Sequence, residues 1–253
     1  MKTSVSLPLI SLLVSVALTP TSHAEAQKSA RVTQVVKDVK LLPANAAARS
    51  AAISDDVSRG TAVRTGTESR AELTFTDLTL TRLGANTVFS FDEGSRDLKL
   101  GSGAILVQVP VNAPAAKITT AAVTAAITGG TTLIEANKNN PIKMLVMEGT
   151  GKLCSKASGQ CEEARGGEML MADKNGNIGK PLTFNVEKVL KTSKLLVTFK
   201  PLPNLPLITN VVQQQQTTSY NSPDNGQGSS NDSISQRTAA NPPPDRFICP
   251  FGH

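Results

Sequence analysis

The chain is predicted to fold as an all-β protein: a compact β-roll or solenoid-like stack of short strands, with a two-sheet β-sandwich as the alternative, followed by a short C-terminal helix and a disordered tail. Three observations carry this. From about Lys28 to Asn185 the sequence runs in short segments rich in Val, Ile, Leu and Thr, which suit a pleated surface. Gly, Asn, Asp and Ser punctuate those segments at short intervals. In the clearest segment, Ala71, Leu73 and Phe75 alternate with Glu72, Thr74 and Thr76, the period of two that a half-buried strand requires.

Taken in order, residues 1–24 read as a targeting segment. Lys2 gives a positive start, Leu7 to Leu18 an apolar run, and Ser22-His23-Ala24 a small-x-small cleavage pattern, which places signal cleavage after Ala24. The apolar run is short of the ~20 residues a membrane-spanning helix needs. No Cys follows the cut, so lipid attachment there is not indicated, and no later stretch approaches a span. The mature chain is therefore expected in the periplasm or outside a bacterial cell, with no transmembrane segment.

Residues 28–184 form the expected β domain. The stretch "TGTESRAELTF" invites a phosphate-loop reading, but such a loop needs a second Gly followed by Lys, between a strand and a helix. Gly66 stands alone, no Lys follows, and a strand comes next. The stretch instead reads as a turn at Gly66 and a strand that carries Ala71, Leu73 and Phe75 into the core, with Arg70, Glu72 and Thr74 outside. The next apolar residues, Leu78 and Leu80, have the opposite parity, so a tight turn belongs at Asp77. Strands follow at Thr87–Phe91, Asp97–Leu100 and Ala104–Val111, with Gly101-Ser102-Gly103 and Asp92 to Ser95 as hairpin punctuation. "TTAAVTAAI" reads as strand on its Thr and Val content. Thr131–Ala136, Ile142–Met147, Lys152–Cys154 and Glu168–Ala172 complete the set, separated by turns at Gly129-Gly130, Asn139 to Pro141, Gly149 to Gly151 and Arg165 to Gly167.

Residues 185–211 change character. Asn185 suits a helix N-cap, with Glu187 in the first turn and Val186, Val189 and Leu190 on one face, a short amphipathic helix that packs back on the sheet. The prolines of "KPLPNLPLI" favour an extended segment after it. Residues 212–253, rich in Gln, Ser, Asn, Gly and Pro, read as a disordered polar tail.

Chemistry is thinly provided. The two histidines are His23, inside the signal, and His253, the last residue, so neither a Ser-His-Asp nor a Cys-His mechanism has an imidazole inside the fold. No cofactor and no metal site is predicted. "DKNGNIG", Asp173 to Gly179, starts like a calcium loop but lacks Gly at the sixth position and has Phe184 at the twelfth, so it reads as a turn. The adjacent carboxylates Asp55-Asp56, Asp92-Glu93 and Glu162-Glu163 would point to opposite strand faces and form no dyad. A hydrolase drawing two carboxylates from distant positions stays open, although no Trp and one Tyr leave little to stack a sugar. Of three cysteines, Cys154 and Cys161 flank the polar loop "SKASGQ", a spacing that suits a disulfide in an exported protein or two reduced thiols on adjacent strands. Cys249 is left as an unpaired thiol. Lys and Arg total 26; without Lys2 they are 25 against 20 acidic residues, a mild and scattered excess that gives no nucleic-acid footprint.

The order of segments resembles the FecR-domain family across roughly Arg31 to Met171. The marks are "RGTAVRTGTESRAELTFTD", "LTLTRLGANTVFSF", "LKLGSGAILVQV", "ITTAAVTAAITGGTTLIEA" and "MLVMEGTGKL", closed by "ARGGE". Asp77-Leu78-Thr79 departs from the family's Asp-Gly-Ser turn. The resemblance implies an all-β, non-enzymatic protein-interaction or sensing module with no catalytic residues to carry over. The family's regulators resemble anti-sigma factors with a cytoplasmic segment and a membrane span; this chain is expected to be the exported domain without either. Its partner would be an unknown protein or cell-envelope polymer, with a structural cell-surface accessory as a further possibility; oligomeric state is not readable from the sequence.

Overall fold

A computed structural model of the chain describes residues 29–220 except 59 and 93–96. The expected signal segment, its cleavage at Ala24, Cys249 and the tail from 221 onward lie outside the described residues.

Fifteen strands form one sheet: β1 (Ala30–Val36), β2 (Val39–Pro43), β3 (Arg49–Ser50), β4 (Asp56–Val57), β5 (Thr61–Thr65), β6 (Arg70–Phe75), β7 (Leu80–Leu83), β8 (Val88–Phe91), β9 (Asp97–Val109), β10 (Ala116–Thr119), β11 (Val123–Ala136), β12 (Ile142–Ser155), β13 (Cys161–Arg165), β14 (Glu168–Ala172) and β15 (Leu182–Thr183). Among the described residues three helices follow, α1 (Val186–Thr192), α2 (Lys194–Val197) and α3 (Leu205–Tyr220). Every strand pair is antiparallel except β9 with β10.

The sheet folds on itself into a roll of two layers. The upper layer runs β4-β1-β6-β7, then the C-terminal half of β9, the C-terminal half of β11, the N-terminal half of β12, β14 and β15. The lower layer runs β3-β2-β5-β8, the N-terminal half of β9, β10, the N-terminal half of β11, the C-terminal half of β12 and β13. Between the layers lies one apolar core that takes Leu73, Leu83, Ile105 and Val146 from above and Val63, Phe89, Leu100 and Leu153 from below. The all-β roll expected from the sequence is what the structure shows.

Three strands therefore serve both layers, and glycine is how they bend. The Gly101–Gly103, Gly129-Gly130 and Gly149–Gly151 segments, expected as turns between separate strands, are kinks inside continuous β9, β11 and β12. Gly129, Gly130 and Gly149 take φ of 51°, 147° and 83°, values side chains rarely tolerate, and Gly130 pairs directly with Gly149. A signal for "Gly in a short apolar run" does not distinguish a reversal from a corner, because both need φ > 0.

At Asp77 the expected tight turn is present: Leu78 takes φ 65°, and the Thr79 amide donates to Asp77 Oδ1 at 2.9 Å. Asn185 caps α1 by accepting from the Lys188 amide at 2.8 Å, and Val186 and Val189 are buried against the sheet. Two expectations need correction. The extended segment ends at Asn204, because Pro206 lies in the first turn of α3, where its missing N–H costs no hydrogen bond. The tail expected from residue 212 begins as helix through Tyr220, because Ile208 and Val212 bury on the sheet and Gln215 Nε2 donates to the Phe184 carbonyl at 2.7 Å.

Cys154 and Cys161 are opposed across β12 and β13 and joined by a disulfide. The loop it closes is short, so its removal by Cys154→Ser with Cys161→Ser should cost about 2 kcal/mol, at the low end for such bonds. Non-reducing peptide mapping should recover the linked pair; two freely alkylated thiols would reject the staple.

Candidate functional site

The outer face of the upper layer carries the buried charged side chains of the described residues, Arg70, Glu72, Arg82, Glu135 and Glu148. Strand alternation sends residues of one parity into the core and the other parity to this face, where α1, α2 and α3 cover it. The face is read across the strands as three rows.

The central row passes through Glu72, Arg82, Leu106, Leu133, Leu145 and Met169, each the register partner of the next. Its apolar members pack under the helices. At its other end Arg82 Nε donates to Glu72 Oε2 at 2.9 Å, the two side chains being 1% and 8% exposed. Arg82 Nη1 and Nη2 donate to the carbonyls of Leu195 and Lys200 at 3.0 and 2.6 Å, and its guanidinium lies 4.9 Å from the Phe199 ring centroid. Glu72 Oε1 accepts from Thr33 Oγ1 at 2.8 Å and Gln34 Nε2 at 3.3 Å. Burial lowers the Arg82 pKa, an effect opposed by its bond and attraction to Glu72. Arg70 and Glu72, expected outside, are thus buried: the face is outside the sheet but inside the protein, because the C-terminal segment lies over it.

A second row holds Gln108, Thr131 and Glu148. Asn204, just before α3, donates through Nδ2 to Thr131 Oγ1 at 2.6 Å and to Glu148 Oε1. Burial raises the Glu148 pKa, and its bonds to Asn204 and Thr131 only partly offset this. A carboxyl raised in the folded state binds its proton better there than in the unfolded chain. Its stabilising contribution is full in acid and is lost as pH climbs from the usual glutamate value of about 4.3 through the raised one. Glu148→Gln keeps an acceptor for Asn204, so the variant should gain stability relative to the native protein across that climb. Urea unfolding at several pH values reads the gap, and a gap independent of pH would refute this account.

The third row lies toward α2. Arg70, on β6, and Glu135, on β11, face each other across Gly84, which has no side chain, and Ala104, which has only a methyl, so the floor is low; the Gly84 amide donates to the Ala104 carbonyl at 2.8 Å, and Ala104 is the register partner of Glu135. With Asn86, Asn137 and, from α2, Lys194 and Leu195, these residues line a half-open cavity of about 180 Å³. Burial raises the Glu135 pKa, against the pull of Lys143 and the bond from Asn137.

The other candidates are dispersed. Asp55 and Asp56 pair with different arginines, Arg49 at 2.6 Å and Arg31 at 3.2 Å. Glu162 pairs with Lys180 at 2.9 Å and Asp92 with Lys99 at 2.7 Å. Asp173 Oδ1 accepts from the amides of Asn175 and Asn177 at 2.8 and 2.9 Å, which makes "DKNGNIG" a turn. Sequence reasoning missed Arg82, Glu135 and Glu148. Their signal was a charged residue inside an apolar run, as in "TLTRLG", "TLIEA" and "LVMEG".

Residues 61–150, from β5 to the middle of β12, match the model of the family described as FecR protein. No curated protein sequence matches the chain. Two solved structures of proposed anti-sigma factors from Parabacteroides distasonis ATCC 8503 are similar to it. One is 16% identical with a TM-score of 0.44, covering 51% of this chain and 62% of its own. The other is 14% identical with a TM-score of 0.45, covering 59% and 74%.

Proposed function

We propose, from the FecR match over residues 61–150, that the protein is a non-enzymatic signalling or regulatory module whose task is to bind a protein or a cell-envelope polymer. That match is the observation that carries the reading. The matched strands also supply Arg82 and Glu148, and both are committed to holding the C-terminal segment on the sheet. The pattern of Lys2 to Ala24 supports export, with the periplasm or the cell exterior as the place of work. Among the described residues no helix is long and apolar enough to cross a membrane. For docking, β13 pairs with β12 alone and exposes Glu163 and Arg165, which fits addition of a partner strand along a sheet edge.

The test is crosslinking of the tagged protein in its native cell, with captured species identified by mass spectrometry. A reproducible envelope protein or polymer supports the reading, and capture of neither across growth conditions overturns it. Release of fragments from purified envelope polymer by the protein would replace it with the hydrolase alternative.

A further inference from the structure

We propose that the cavity beneath α2 binds a free amino acid or a similarly small zwitterion, with Glu135 holding the ammonium and Arg70 and Lys194 holding the carboxylate. The proposal does not depend on the partner reading above.

The composition of the walls selects the ligand class. A simple anion would meet the Glu135 carboxylate, and a simple cation would meet Arg70 and Lys194. An apolar molecule would strip water from three charged groups and return nothing. A molecule carrying both charges satisfies both walls.

Arg70 and Glu135 do not satisfy each other. They stand on β6 and β11 with β7 and β9 between them, so their backbones are about 14 Å apart at the usual strand spacing. Both residues are more than nine-tenths buried, at 8% and 7% exposure. Each is anchored through one atom and unmet through another. Arg70 Nη1 donates to the Glu68 carbonyl at 3.2 Å, while Nε has no partner. Glu135 Oε1 accepts from Asn137 Nδ2 at 2.7 Å, while Oε2 has no partner. Buried polar groups are almost always paired, so each of the two residues keeps capacity for one more bond. The unmet atoms have almost no accessible surface, so binding in the cavity through them requires each head group to reorient.

Size agrees. The volume of about 180 Å³ holds several waters or one small organic molecule and falls below the ~300 Å³ where drug-sized pockets begin. Gly84 and Ala104 set that depth, since any larger side chain at either position would fill the floor.

The experiment is titration calorimetry on the purified protein with glycine, L-alanine and L-leucine, and with acetate and methylammonium as the two halves of the ligand. At least one zwitterion should bind saturably at millimolar concentrations or below, with each half about tenfold weaker or more. Glu135→Gln and Lys194→Gln should each weaken it by about tenfold. Lys194 is exposed, so its variant separates lost binding from lost folding, and an unchanged melting temperature checks this. Absence of saturable binding by all three zwitterions, acetate binding as tightly as alanine, or undiminished affinity in both variants would each overturn the proposal and leave a hydrated cavity.

Discussion

Arg82→Leu should lower the unfolding free energy by about 3–5 kcal/mol, the usual result of removing one partner from a buried ion pair. The substitution leaves the Glu72 carboxylate buried with Thr33 and Gln34 as its remaining partners, and it deprives the Leu195 and Lys200 carbonyls of their donor. Both side chains are almost wholly shielded, so the screening that makes exposed pairs nearly worthless does not apply. The double variant Glu72→Met with Arg82→Leu should lose much less, because no charge is then stranded. Chemical denaturation reads both. A loss below about 1 kcal/mol in the single variant would show that the pair is not a keystone of this face.

Gly149→Ala should be as damaging, for a steric reason. A Cβ there would lie 2.0 Å from the Gly129 carbonyl oxygen and 2.8 Å from the Gly130 Cα, both backbone atoms that cannot rotate away. The positive φ adds about 1–2 kcal/mol of its own, and the overlap about 1–3 kcal/mol more. Gly159→Ala is the control: its φ is +73°, but nothing lies within 4 Å of the added atom. It should lose only the conformational part, about 1 kcal/mol. Equal losses in the two variants would mean that the corner between β11 and β12 yields, contrary to its geometry.

The contrast between those glycines shows what the sequence could and could not convey. Alternation in Arg70–Phe75 placed Ala71 and Leu73 correctly in the core, and the parity shift located the turn at Asp77, because both signals are local. The corners were misread as turns because the distinction depends on which strands lie on either side, and that is set by pairings up to dozens of residues away. The same non-locality hid the site. Arg70, Glu72 and Thr74 alternate as an exposed face should, and only the segment from α1 to α3 turns that face into an interior. The helix formed by Leu205–Tyr220 was obscured by Pro206 and by a polar glutamine run that reads as tail; packing of Ile208 and Val212 on the sheet fixes it. The cavity had no linear signature at all, since its floor and walls come from β6, the turn between β7 and β8, β9, β11 and α2.

The reach of Arg82 also sets a schedule. Its carbonyl partners lie 113 and 118 residues further along the chain. A growing polypeptide that has completed β1 to β9 holds a charged guanidinium on a sheet face with no lid, and its partners do not exist until Lys200 has been made. Closure of the upper layer is therefore a late event in the life of each molecule. The strands can pair as they emerge, but the face that carries the buried charges and the cavity is finished only when nearly the whole described chain is available.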